Sequence, residues 1–269
     1  MEVSKWRKYN GALIPVDPPH LRADISNIAK LIKDTESYFA RWITEFDCNQ
    51  VTEFWYVICD QFTPLDLVSR NTRSKIRRGL KKCSVIKVPK DQILENGFAC
   101  YRAAFDNYSN SPPSKSKLEF KTEILDLEGE WDFWAVFHKD TLVGYSQNRI
   151  VDNCCEYSTI KFHPKYLSLY TSYILFFTMN KYYLDEMNFQ YVNDGSRSLL
   201  HKTNIQDFLI TKFGFRKAYC KLHIQYNYLL NILVRFIYPF RFVFYPFNNR
   251  FASKINSLLV QEKIRRSFL

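Results

Sequence analysis

Glycine and proline are scarce, at seven and ten among 269 residues. That shortage excludes collagen-like and low-complexity chains. No uninterrupted apolar stretch is long enough to span a bilayer, so no membrane-crossing helix is expected. The opening residues, Met1 to Arg7, lack the apolar core of a secretory leader. No Cys-x-x-Cys pair occurs, and the seven cysteines (48, 59, 83, 100, 154, 155 and 220) are scattered. A zinc site or a disulfide framework needs tighter spacing, so buried reduced thiols in a reducing compartment are expected, and no metal. A soluble, cytoplasmic protein is the expectation from these absences.

What is abundant is aromatic and basic. Phe, Trp and Tyr make up 17% of the chain, and the formal net charge is +11. A cationic excess of this size favours polyanionic surroundings: nucleotides, nucleic acid or anionic lipid. Between Asp66 and Asp91 there is no acidic residue. Arg70, Arg73, Arg77 and Lys81 recur there at helical spacing and stack on one face. After Gln225 there are seven basic residues against one acidic residue, Glu262, in a segment rich in aromatics. Such a tail can lie on a membrane's inner surface, pack on the protein as helices joined at Pro239 and Pro246, or form a dimer contact.

Periodicity predicts an α/β chain. Residues 1–20 read as irregular, and 24–34 as a short helix capped by Asp24 or Ser26. Residues 54–59 and 85–88 read as strands, and 71–82, 91–108 and 118–127 as helices, with a loop over 109–116. Strands at 133–137, 141–151 and 154–162 then form a meander with short turns. A helix over 168–185, a strand over 189–192, a helix over 203–213 stopped at Gly214 and a strand over 215–224 complete the order β-β-β-α-β-α-β. The composition divides the chain into an N-terminal α/β portion (1–68), a central domain (69–225) and the basic aromatic tail (226–269).

The pieces FWAVFHKDTLVGYSQNRIV, CCEYSTIKFHP, FQYVNDG and TNIQDFLITKFGFRKAYCKLHI resemble the second half of a GNAT acyltransferase fold. TPLDLVSRNTRSKIRRGLKK is similar to the FemAB-like branch, which pairs a degenerate N-terminal GNAT unit with an active C-terminal one. The resemblance spans roughly residues 54 to 224. It implies a GNAT-like mixed sheet with crossover helices. It also implies an N-acyltransferase or aminoacyltransferase acting on an amine of a sugar-nucleotide or cell-envelope precursor. Acetyl-CoA-dependent members carry a Gly-rich turn for the pyrophosphate. Residues 162–172 hold no glycine. Side chains hinder close approach of a phosphate, so the donor expectation covers both acyl-CoA and the aminoacyl-tRNA that FemAB-like members use.

Acyl transfer to an amine needs a base, an oxyanion donor and an acid for the leaving group. Glu156, in the third meander strand, and Asp194, at a strand's C-terminal end, are the candidate bases. Tyr219 is the candidate acid, with Tyr170 and Tyr173 beside it. Asn193, Ser196 and Arg197 are candidates to bind substrate, and His163 and Lys165 to sit near the donor. Arg73, Arg77 and Lys81 are candidates to clamp phosphates, of tRNA among others. Each has a plainer alternative: an ion-paired strand Glu, a chain-reversing Asn-Asp-Gly turn, packing tyrosines, a solvated basic helix. The alternative for the whole chain is a non-catalytic GNAT-like binding or scaffold protein; a third reading is RNA binding through charge alone.

Overall fold

The computed structural model describes residues 6–9, 11–106, 114–198, 204–244 and 250–268, with the side chains of 250–252 excepted. Most of the expected loop over 109–116, Pro246 and residues 1–5 lie outside the described residues. The chain forms two compact units. One comprises Met1–Val57, Ser196–Asn204 and Lys217–Leu269; the other comprises Ile58–Gly195 and Ile205–Arg216.

The first unit holds strands where the sequence reads as irregular: β1 (Trp6–Tyr9) and β2 (Ala12–Pro15). They pair antiparallel through a turn at Gly11, whose positive φ of 80° suits glycine. Four residues per strand are too few to show a clear alternation, which is why the pattern hid them. β2 pairs parallel with β3 (Phe39–Thr44), and β3 antiparallel with β10 (Arg216–Tyr226), which neighbours β4 (Phe54–Cys59). β3 also escaped the pattern. Its alternation is broken because every residue but Ala40 is only half-buried.

Helix α1 (Ile28–Asp34) starts later than the pattern predicts. Its N-cap is Asn27, without a side-chain bond. Asp24 instead accepts from the Ser26 backbone N–H at 2.9 Å, a local turn that delays the helix. Leu13, Ile28, Ile32 and Ala40 form a small core around it.

The tail resolves into α7 (Tyr228–Ile237), a 3-10 turn over Tyr238–Phe240, α8 (Arg241–Phe244) and α9 (Arg250–Arg266). Asn227 caps α7 by accepting from the Leu230 N–H at 2.8 Å. α9 belongs to the core of its unit: Ile264 packs with Phe54, Cys220, Leu222 and Ile224. Its buried Glu262 accepts from Tyr226 Oη at 2.8 Å, Arg265 at 2.8 Å and Arg266 at 2.7 Å. Three donors outweigh the burial of the carboxylate and hold its pKa below the usual range.

The second unit is a mixed sheet in the order β9-β8-β7-β6-β5, with crossover helices, as the pattern predicts. β5 (Ser84–Val88), β6 (Glu130–His138), β7 (Thr141–Val151) and β8 (Cys154–Phe162) pair antiparallel. The β7–β8 turn places Asp152 and Asn153 at φ of 45° and 58°, the primed geometry that matches strand twist. β9 (Tyr191–Ser196) joins β8 in parallel.

Residues 142–148 of β7 are buried throughout, so the strand is covered on both faces. One face meets α3 (Lys90–Asp106) and α4 (Lys117–Leu125) in a core of Ile93, Tyr101, Phe120, Phe133 and Tyr145. α4 opens with a capping box between Ser116 and Glu119.

The long helix expected over 168–185 is three pieces: a 3-10 turn over Pro164–Leu169, α5 (Thr171–Asn180) and a π-turn over Lys181–Glu186. Tyr170 breaks the first junction by adopting a left-handed φ of 62°. α2 (Arg70–Leu80), capped by Ser69, and α6 (Asn204–Phe213) complete the unit. Gly214, at φ 72°, ends α6 as expected.

Six of the seven cysteines are buried, and none is in a disulfide. Burial pushes the Cys59 and Cys154 thiols up to about 11 and the Cys100 and Cys220 thiols up to about 12, so these are inert core residues. Among the described residues, no helix is long and apolar enough to cross a membrane.

Candidate active site

β8 and β9 pair for three residues and then part. The register runs Cys154–Tyr191, Cys155–Val192, Glu156–Asn193. β8 continues to Phe162 with β7 on its other side, so its edge beyond Glu156 faces the gap. Parallel strands that separate at their C-terminal ends leave a crevice with free backbone groups, a recurrent ligand position in α/β sheets.

Asp194 stands at the parting. Strand alternation puts it on the face of Val192, Cys155 and Tyr157. Burial pushes its carboxyl up to about 7, and a hydrogen bond with Gln206, in the first turn of α6, only partly offsets this. The Tyr157 hydroxyl lies within electrostatic reach and donates to Asn180 Oδ1 at 2.7 Å. Its own pKa is driven well up, first by burial and also by the nearby Asp194 charge. A carboxyl that titrates near neutrality, where two parallel strands part, has the acidity a general base needs.

Glu156 is arranged differently. It faces the other side of the sheet and pairs with Arg149 at 3.3 Å across β7. Asn193, beside it in register, accepts the Gly195 N–H at 2.8 Å and so shapes the chain after the strand. Asn193, Asp194 and Gly195 therefore belong to β9 itself, rather than to a turn after a strand ending at 192.

A second feature is the start of α5. Tyr170 provides no side-chain cap. The first-turn N–H groups of a helix have no intrahelical partners and carry partial positive charge. Thr171 Oγ1 is buried there and, among the described residues, has no hydrogen-bond partner.

α2 brings two cations to this helix end. Lys75 donates to Tyr173 Oη at 3.1 Å, and the Arg78 guanidinium lies 5.0 Å from the centre of the Tyr170 ring. Gly79 allows this approach: a Cβ there would sit 2.6 Å from Ile174 Cγ2 and 3.1 Å from the Leu169 carbonyl. Polarity of this kind suits a phosphate or carboxylate.

The basic residues singled out by spacing sit elsewhere on α2. Thr72, Ile76 and Gly79 are the buried face. Arg77 and Lys81 point to solvent, and Arg73 donates to the Asp66 carbonyl at 3.2 Å. His163 caps the 3-10 turn by accepting the Lys165 N–H at 3.3 Å, and the Lys165 ammonium lies 5.8 Å from the Tyr166 ring centre.

Three candidates fall in the other unit. Tyr219 packs against Trp55 with ring centres 6.1 Å apart. Arg197 pairs with Glu53 at 3.2 Å and covers the Trp55 ring at 4.4 Å. Ser196 precedes it at the end of β9.

The sequence reading missed Gln206, Thr171, Lys75 and Arg78. It also missed a buried network. Tyr183 in the π-turn donates to Asp132 at 3.0 Å and accepts from Trp134 Nε1 at 2.9 Å and Asn148 Nδ2 at 3.2 Å. Lys87 closes it on Asp132 at 2.7 Å. A polar Asp132 inside the apolar run of β6 was the available signal. Among the described residues, no cluster of His, Cys, Asp or Glu is arranged to hold a metal.

No protein-family model matches the chain, and no curated relative does. Solved structures do. FemX overlays with a TM-score of 0.52 at 10% identity, covering 79% of this chain and 81% of that one. The fold is GNAT-like. L-PGS from Bacillus licheniformis overlays at 0.48 and 11% identity, covering 97% of this chain and 85% of that one. The C-terminal domain of a lysylphosphatidylglycerol synthetase from Agrobacterium fabrum overlays at 0.46 and 10% identity, covering 71% and 66%. At 10% identity the FemX overlay speaks for the architecture alone.

Proposed function

We propose that the chain is an N-acyltransferase of the FemAB-like kind, with Asp194 as its general base. The observation that carries this reading is the half-buried Asp194 carboxyl, pushed up to about 7 where β8 and β9 part. Asp194 takes a proton from the acceptor's ammonium group. The free amine attacks the donor's carbonyl carbon, and a C–N bond forms. Backbone N–H groups of β8 beyond its pairing with β9 receive the oxyanion.

Collapse of the adduct breaks the C–S bond of a thioester or the C–O bond of an aminoacyl ester. One amine proton leaves to water, and the proton held by Asp194 neutralises the leaving thiolate or ribose alkoxide. The start of α5, with Thr171, Lys75 and Arg78, holds the donor's phosphates or terminal nucleotide. Tyr170 occupies the position where a glycine would let a pyrophosphate approach, which favours aminoacyl-tRNA over acyl-CoA as donor. The acceptor class is an amine on a sugar-nucleotide, cell-envelope precursor or related molecule.

The same Tyr170 favours the second reading, a non-catalytic binding protein with a closed donor site. Thermal shift separates the two, because a ligand at a hundredfold excess over its Kd stabilises the folded state by about 2.7 kcal/mol. The purified chain would be titrated with CoA, acetyl-CoA, longer acyl-CoAs and charged tRNA. Stabilisation by charged tRNA, followed by turnover that vanishes in Asp194→Asn, is the expected result. No shift with any donor would overturn the enzymatic reading.

A further inference from the structure

The C-terminal tail splits into a part that packs and a part that does not. α9 is built into the core of its unit through Ile264 and the Glu262 network. The segment from α7 to α8 is held to it by one side only. Val234 is 1% exposed there, Arg266 stacks on the Tyr238 ring at 4.0 Å, and Asn256 of α9 donates to the Phe244 carbonyl at 3.0 Å. On the other side, Leu229 is 76% exposed, Phe236 72% and Phe240 66%, with Tyr228, Leu233 and Val243 beside them.

Within α7, positions 229, 233 and 236 recur at steps of four and three and so share a face; Phe240 of the 3-10 turn and Val243 of α8 continue the exposed apolar surface along the chain. At about 200 Å² for a full aromatic side chain and less for Leu and Val, the exposed apolar area is on the order of 700–800 Å². Soluble monomers rarely present a contiguous patch of more than a few hundred Å².

We propose that the α7–α8 face docks flat on an anionic lipid surface. Its length, about 25 Å at 1.5 Å per residue, and its one-sided apolarity suit an interfacial helix rather than a spanning one. Its charge selects the occupant. Residues 226–261 contain no Asp or Glu, while Arg235 is exposed at the flank of the apolar face and Arg241 lies between the Tyr238 and Phe242 rings at 4.6 and 4.3 Å. A second copy meeting this face across a two-fold axis would set arginine against arginine with no acid to answer it. Phosphatidylglycerol-type headgroups supply the missing charge.

The test is co-sedimentation of the full chain with vesicles, without donor or turnover, so that it stands apart from the acyl-transfer reading. Vesicles of phosphatidylcholine alone are compared with vesicles containing phosphatidylglycerol. The chain is expected to bind the anionic vesicles. A Leu229→Gln/Phe236→Gln variant should lose at least tenfold in affinity, with an unchanged melting temperature because both positions face solvent. Arg235→Gln should lose about fivefold, the worth of one cation near an anionic surface. The proposal is overturned if the chain ignores anionic vesicles. It is equally overturned if the double variant binds as well as the parent. A third contrary result is light scattering showing a dimer that the double variant converts to monomer, with no vesicle binding by either.

Discussion

Asp194→Asn separates chemistry from folding in one substitution. The carboxyl is pushed from its ordinary 3.8 up to about 7, chiefly by burial. Between those two values the folded chain keeps a proton that the unfolded chain has lost. Raising the pH therefore favours unfolding across this window. The shift is about three units, each worth about 1.4 kcal/mol. About 4 kcal/mol is thus the ceiling on what the ionised Asp194 costs the fold above pH 7. The amide has the same shape and no charge to desolvate.

The expected outcome is that the parent's melting temperature falls from pH 5 to pH 8 and that the variant's falls less. At pH 8 the variant should be the more stable protein, by several degrees if about 2–4 °C corresponds to each kcal/mol. Turnover should move the opposite way. The parent's rate rises as pH climbs through about 7, where the base becomes free. The variant should lose about a hundredfold or more at all pH values. Scanning calorimetry in a pH series gives the first quantity, and an amine-acylation assay gives the second. If the two proteins show the same stability slope, Asp194 does not carry the raised pKa. If the variant keeps its turnover, Asp194 is not the base.

Thr171→Val should leave the fold as stable as the parent or slightly more so, because Thr171 Oγ1 is buried and has no partner among the described residues. The same change should weaken donor binding about tenfold in a thermal-shift titration, the loss of one hydrogen bond of roughly 1.4 kcal/mol. Gly79→Ala, normally a gain inside a helix, should destabilise by about 1–3 kcal/mol in urea unfolding, because its Cβ would press on Ile174 and the Leu169 carbonyl. Glu262→Ala should cost about 2 kcal/mol, less than a fully enclosed pair because Arg265 and Arg266 keep some contact with water. In the parent, the pKa of Glu262 is lowered on folding, so its contribution is full at neutral pH and is lost on acidification through the carboxylate range; the variant's melting temperature should lack that acid loss.

Wherever the hydrophobic period was long, the sequence alone determined the local structure. β7, β8, α3 and the last strand were legible because a dozen residues of alternation or helical spacing leave little ambiguity. Gly214 ended its helix as glycine does, and the meander turns followed from their polar residues. Short strands such as β1 and β2 were not legible, because four residues give no period and their pairing partners lie far along the chain. The π-turn after α5 was not legible either: its cause is Tyr183 reaching Asp132, Trp134 and Asn148, three residues on two other strands.

The site divides the same way. Composition marked Asp194 as a candidate because an Asn-Asp-Gly run follows an apolar strand. Only tertiary structure distinguished it from Glu156, since both are carboxylates on strands. Arg149 stands beside one across a ladder, while the other is half-buried and meets the Gln206 amide instead of a cation. The basic helix was visible at once, but not that Lys75 and Arg78, rather than Arg77 and Lys81, touch α5. Charge and spacing are written along the chain. Which face of a helix meets protein, and how much water remains around a carboxyl, depend on what the fold packs against them.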